Sequence, residues 1–114
     1  MAFSETHALS SERITEHVTK TSAGVYLLDK TSTGPFTVSY VGRADDDVAD
    51  RLRKHAAKGK YKFFQFEYCT GAKAAFEKEC NLYHSYKDLD NEVHPARPAG
   101  TNYACPVSWC KALQ

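Results

Sequence analysis

The chain has 114 residues, a formal net charge of +1 and a hydrophobic fraction of 42%. That length holds one compact domain with a modest core and leaves little for a second folding unit. No apolar run approaches a membrane span, the first twenty residues carry no signal-peptide core, and near-neutrality argues against a purely electrostatic DNA coat. The expectation is a cytoplasmic protein without membrane contact.

In chain order, residues 1–20 are polar, with Ser10 or Ser11 as a cap for a short helix reaching Val18. Gly24–Asp29 (GVYLLD) reads as a strand, Lys30–Phe36 with its Thr-Gly-Pro as a turn, and Thr37–Gly42 as the returning strand of a hairpin. Asp45–Lys58 reads as a helix whose acidic first turn suits the macrodipole and which Gly59 stops. Tyr61–Cys69 is aromatic and roughly alternating, a third strand; Ala72–Asp88 reads as a second strong helix. Pro95, Pro98, Gly100 and Pro106 make the rest an irregular tail. The order β-β-α-β-α predicts an α+β fold, a small three-stranded, mostly antiparallel sheet with flanking helices. Three stretches follow: a polar N-terminal segment (1–20), a core (21–92) and a tail packed on it (93–114).

A hairpin symmetric about Thr33 sets Tyr26 opposite Tyr40, on one face of the sheet. Such a pair is commonly a hairpin-stabilising aromatic contact, but each hydroxyl needs a partner if buried. On the first long helix Val48, Leu52 and Ala56 form the apolar stripe, and Arg51 and His55, four apart, share a face beside it. Arg51 there either snorkels over the core or holds a phosphate in its planar fork. On the second helix Ala75, Leu82 and Tyr86 put Glu79 within an apolar stripe. A carboxylate facing inward is costly unless paired, so Glu79 either meets a core-side arginine or binds a hard divalent ion. From Arg51 to Lys62 six basic residues run without an acidic one, which is a solvated helix face or a basic patch. Of the four cysteines, Cys69 and Cys80 suit buried free thiols. Cys105 and Cys110 form one loose pair where a zinc site usually wants two tight ones, so a thiol pair without function is expected.

Gly24-Val25-Tyr26, then Tyr40-Val41-Gly42, then Arg51-Leu52 with His55 one turn on, then Glu79-Cys80-Asn81-Leu82 together resemble the ordered signature of the GIY-YIG nuclease superfamily over residues 24–91. The resemblance implies a small stand-alone endonuclease cleaving phosphodiester bonds in DNA, branched or single-stranded forms included, or a binding module of the same fold that has lost turnover or needs a protein partner for specificity. It implies Tyr26 as general base or water-orienting relay, Tyr40 on the water or phosphate, Arg51 on the developing charge, His55 in support and Glu79 on Mg²⁺ or Mn²⁺. Arg43 matches a position often basic in that family. With Arg43, the residues Arg53, Lys54, Lys58 and Lys60 are the expected nucleic-acid contacts. The family asparagine falls to Asn91 or Asn102, and a tyrosine with an ordinary pKa of roughly 10 needs help to act as a base.

Overall fold

The computed structural model describes residues 3–31, 34–86, 88–91, 94–98, 100–107 and 110. The elements are β1 (His7–Ala8), α1 (Ser11–His17), β2 (Gly24–Asp29), β3 (Tyr40–Ala44), α2 (Val48–Lys58), β4 (Phe63–Tyr68) and α3 (Ala72–Ser85). The architecture is α+β, as expected. The antiparallel sheet has four strands rather than three, in the order β1-β4-β2-β3. The added strand is two residues of the N-terminal segment, His7 and Ala8, paired to Phe64 and Phe63. Nothing in so short a polar stretch signals a strand; the open edge of β4 selects it.

β2 is the central strand, and all six of its residues are buried. A strand covered on both faces reads as a continuous apolar run, which is why GVYLLD stands out in the sequence. Tyr26 and Leu28 enter the larger core with Ile14, Val18, Val48, Leu52, Phe64 and Phe66, beneath α1 and α2. Val25 meets Ala75 of α3, and a further cluster joins Phe76 and Cys80 of α3 to Cys105 and Cys110 of the tail. Residues of the polar N-terminal segment are thus part of the fold: Ile14 and Val18 are core residues, and Ser10 caps α1 by accepting from the Arg13 amide.

Helix ends follow their caps. α2 begins at Val48, later than Asp45, because the Asp47 side chain accepts from the Asp50 amide. It ends where Gly59 takes the left-handed conformation, φ 72°. α3 stops at Ser85, short of Asp88, with Tyr86 extended and 40% exposed. Tyr86 therefore leaves the apolar stripe to which the sequence pattern assigns it. The buried residues of α3 are Ala75, Phe76, Glu79 and Cys80, so the inward placement of Glu79 holds.

The hairpin register differs from expectation by two. Tyr26 pairs with Gly42, and Tyr40 with Leu28. Pairs 28↔40 and 26↔42 centre on residue 34, Gly34, whose φ is +84°, and not on Thr33. Asp29 organises this connection: its carboxylate accepts from the Thr31 amide (2.8 Å), the Thr31 hydroxyl (2.7 Å) and the Thr37 amide (2.9 Å). A slip of two keeps each side chain on its face. Tyr26 and Tyr40 remain on one side of the sheet as diagonal neighbours, ring centroids 6.5 Å apart and near-parallel at 20°.

Candidate functional site

Gly42 is the reason Tyr26 lies where it does. The ring of fully buried Tyr26 crosses the bare backbone at Gly42, so closely that a β-carbon there would fall inside contact distance of Cζ, Oη and Cε1. The ring lies flat on β3 and its hydroxyl reaches α2, where it meets His55 Nε2 at 2.9 Å. Burial, then the neighbouring Tyr40, raise the Tyr26 hydroxyl well above its ordinary value, with the Arg51 guanidinium working against them. Tyr26 is therefore protonated at neutral pH, and its hydroxyl donates to His55 in the tautomer that carries the ring proton on Nδ1. His55 is pushed down to about 4 by burial and by the charges of Lys58 and Arg51, so it is neutral and able to accept.

Tyr40, Tyr61 and His55 close an aromatic cage around this hydrogen bond, with His55 5.2 Å from the Tyr40 ring and 6.0 Å from the Tyr61 ring. Beside it opens a cleft of about 650 Å³, lined among others by Tyr40, Arg43, Arg51, Glu79, Asn91 and His94. Glu79 is only 8% exposed. Burial raises its carboxyl and Arg43 pulls it back, the raising influence prevailing. The Arg43 guanidinium bridges two carboxylates, giving Nη1 to Glu79 Oε1 at 2.8 Å and Nε to Asp45 Oδ1 at 2.7 Å, while packing over the Phe76 ring at 5.3 Å. The core-side arginine that an inward Glu79 calls for is thus Arg43. Glu79 nevertheless lines the cleft, as do Asp45, Asp46 and Asp47 from the segment that leads into α2 and Asp50 from its first turn. Carboxylate oxygens around a partly enclosed space are the donor set of a hard divalent cation.

The structure separates the two asparagines. Asn91 lines the cleft and grips β3 at Val41, accepting from its amide (3.0 Å) and donating to its carbonyl (2.8 Å). Asn102 is exposed and is not among the lining residues.

The basic run is dispersed by the fold. Arg51 lines the cleft, but Arg53, Lys54, Lys58 and Lys60 do not. Arg53 donates to Thr15 of α1 at 3.2 Å, Lys54 pairs with Asp50 at 3.2 Å and Lys60 with Asp90 at 3.6 Å. The acidic partners come from one helical turn earlier and from a distant loop, so an acid-free stretch of sequence becomes a charge-mixed surface. Lys58 is exposed on the last turn of α2.

Sequence reasoning missed one group of residues. His84, His94, Cys105 and Cys110 bring one side-chain ligand atom each within 4.8 Å of one another. Their intervals in the chain are uneven, and three of them lie in the irregular tail, so no spacing pattern announces them. Among the described residues no helix is long and apolar enough to cross a membrane. Comparison of the chain with protein-family models gives no match, and comparisons with curated proteins and with solved structures give none either.

Proposed function

We propose that this chain is a divalent-metal-dependent endonuclease of the GIY-YIG type that hydrolyses phosphodiester bonds in DNA. The observation that carries the reading is the convergence of Tyr26, Tyr40, Arg51, His55 and Glu79, from four separate elements, on one cleft and the aromatic cage beside it. Phosphodiester hydrolysis needs an activated water, charge compensation at the phosphate and help for the leaving oxygen.

Arg51, exposed at the cleft, offers its planar fork to a phosphate. Tyr26 begins protonated, so it takes a proton from water only by releasing its own. The neutral His55 Nε2 at 2.9 Å is placed to receive it. Tyr26 and His55 thus form a relay beside the cleft, and Tyr40, which lines the cleft and packs against both rings, is the member placed to meet the water or the phosphate. Mg²⁺ or Mn²⁺ would be held by Glu79, with Asp45 as a neighbouring carboxylate, and when bound would supply the positive charge that stabilises the attacked phosphate and acidifies water. Arg43 already occupies Glu79 Oε1, so its part is to orient the carboxylate rather than to touch the nucleic acid.

One observation favours a second reading. The Asp45–Arg43–Glu79 chain is an ion-pair network that gives Glu79 Oε1 a charged partner without a metal. That would suit a non-catalytic or partner-dependent nucleic-acid-binding module of the same fold.

Cleavage of supercoiled plasmid and of branched and single-stranded oligonucleotides, with Mg²⁺, with Mn²⁺ and with EDTA, separates the two. The nuclease reading expects metal-dependent nicking that Glu79→Gln reduces at least 100-fold, on the order of the loss of one charge-stabilising group, while DNA retention in gel shift is kept. Binding without cleavage in every metal establishes the module instead.

A further inference from the structure

The four-residue cluster at the C-terminal end of α3 takes no step in the proposed cleavage chemistry, and it brings together two imidazoles and two thiols. His84 stands on the last turn of α3; His94, Cys105 and Cys110 come from the tail that packs on it. Cys105 and Cys110 are 4% and 5% exposed, and both histidines are half-buried.

Three observations point the same way. First, His84 Nε2 and His94 Nε2 are 3.2 Å apart, and His94 Nε2 and Cys110 Sγ are 3.4 Å apart. With bonds of about 2.05 Å to nitrogen and about 2.3 Å to sulfur, the edges of a tetrahedron are about 3.3 Å for N–N and about 3.5 Å for N–S. His94 thus already stands at coordination spacing from His84 and from Cys110, and the Cys105 sulfur lies within 4.8 Å of all three. Second, His94 Nδ1 is 2.9 Å from the Pro95 carbonyl oxygen. A carbonyl only accepts, so the ring proton is on Nδ1 and the lone pair is on Nε2, the atom that faces His84 and Cys110. Fixing the tautomer through a backbone carbonyl is how proteins orient a metal-bound imidazole. Third, two thiols and two imidazoles in a shielded position are soft and borderline donors, which select a tetrahedral d¹⁰ ion over Mg²⁺.

We propose that His84, His94, Cys105 and Cys110 form a structural zinc site that clamps the C-terminal tail to α3. Four protein ligands fill a tetrahedron, so the ion has no open position for water and would not be catalytic. Its effect on the rest of the molecule runs through His94, which also lines the cleft together with Pro95 and Ala96. The clamp holds one part of the cleft lining in place, while Tyr40 and Arg43 of β3, Arg51 of α2, Glu79 of α3 and Asn91 supply other parts. Cys80 is the adjacent buried thiol, packed with Cys105 in the same cluster, and is not one of the four ligands. The proposal does not rest on the nuclease reading.

The full chain, produced without a histidine tag, is assayed for zinc by mass spectrometry of the digested protein. It is also reconstituted from the metal-free form with Co²⁺. The expected result is one zinc per chain. The cobalt form should show the visible ligand-field bands of tetrahedral Co²⁺ together with sulfur-to-cobalt charge transfer. The zinc content should fall at least tenfold in Cys110→Ser and in His94→Ala and remain near one in Cys80→Ser and in Glu79→Gln. Removing zinc with a chelator, in excess Mg²⁺, should lower the thermal midpoint, and zinc but not magnesium should restore it. Substoichiometric zinc after reconstitution, an octahedral cobalt spectrum, or zinc retained in Cys110→Ser and His94→Ala would overturn the site. Loss of zinc in Cys80→Ser with an unchanged circular-dichroism spectrum would overturn the ligand set. Should the ligand variants fail to fold, the cobalt spectrum of the unmodified chain decides alone.

Discussion

The contact between Tyr26 and Gly42 can be tested by adding one carbon. Replacing a strand glycine by alanine ordinarily stabilises by about 0.5–1 kcal/mol, because glycine loses more backbone freedom on folding. At Gly42 the new β-carbon would overlap Cζ, Oη and Cε1 of Tyr26. These are ring atoms of a fully buried side chain, with Tyr40 alongside and His55 at its hydroxyl, so the ring has no free direction in which to move. Overpacking of this kind costs about 1–3 kcal/mol. Gly42→Ala is therefore expected to destabilise, against the usual sign. At about 4 °C per kcal/mol for a domain of this size, the thermal midpoint should fall by about 4–12 °C. Urea unfolding followed by circular dichroism gives the free energy, and a double-mutant cycle with Tyr26→Leu assigns its cause. Leucine is too short to cross β3, so Gly42→Ala should cost little or even stabilise in that background. The coupling should be about 1–3 kcal/mol, where independent sites add to within about 0.5 kcal/mol. A stabilised single variant, or additive free energies, would refute the account of how the tyrosine is seated.

Asp29→Asn should lower stability by about 2 kcal/mol at pH 7, since three hydrogen bonds to a charged acceptor organise the hairpin connection. Burial raises the Asp29 carboxyl, but the bonds from Thr37 and Thr31 outweigh it and hold the group below its ordinary value. Its contribution is then complete above the unfolded value of about 4 and is lost as pH falls through the folded one. The gap between wild type and Asp29→Asn should narrow on acidification below pH of about 4; a constant gap would contradict the assignment. Asn91→Ala removes both bonds to Val41, and a cost of about 1–3 kcal/mol with faster hydrogen exchange at the Val41 amide is expected. Unchanged exchange at Val41 would show that the edge strand needs no such pin.

Several parts of the site are legible before folding because they are local. The apolar run of β2, the 3.6-residue spacing that sets Leu52 inward and Arg51 and His55 beside it, and the inward position of Glu79 follow from period alone. Long-range pairings have no such period. That Glu79 meets Arg43, that Lys54 and Lys60 meet Asp50 and Asp90, and that Asn91 rather than Asn102 reaches the cleft depend on the sheet order and the path of the tail.

The chain's own pattern determines an α+β domain with Tyr26 and Tyr40 on one face of the sheet, Arg51 and His55 beside the apolar stripe of α2, and Glu79 inward on α3, since helical and strand periods assign faces within each element without any partner. Only the tertiary structure decides the hairpin's centre on Gly34, the fourth strand at His7–Ala8, and the meeting of His84 and His94 with Cys105 and Cys110. The reason is physical: a face is a property of successive residues, whereas a turn centre, an edge strand and a four-ligand cluster are closures over a distance. Closures cost chain entropy, and the packed core compensates for it only once formed.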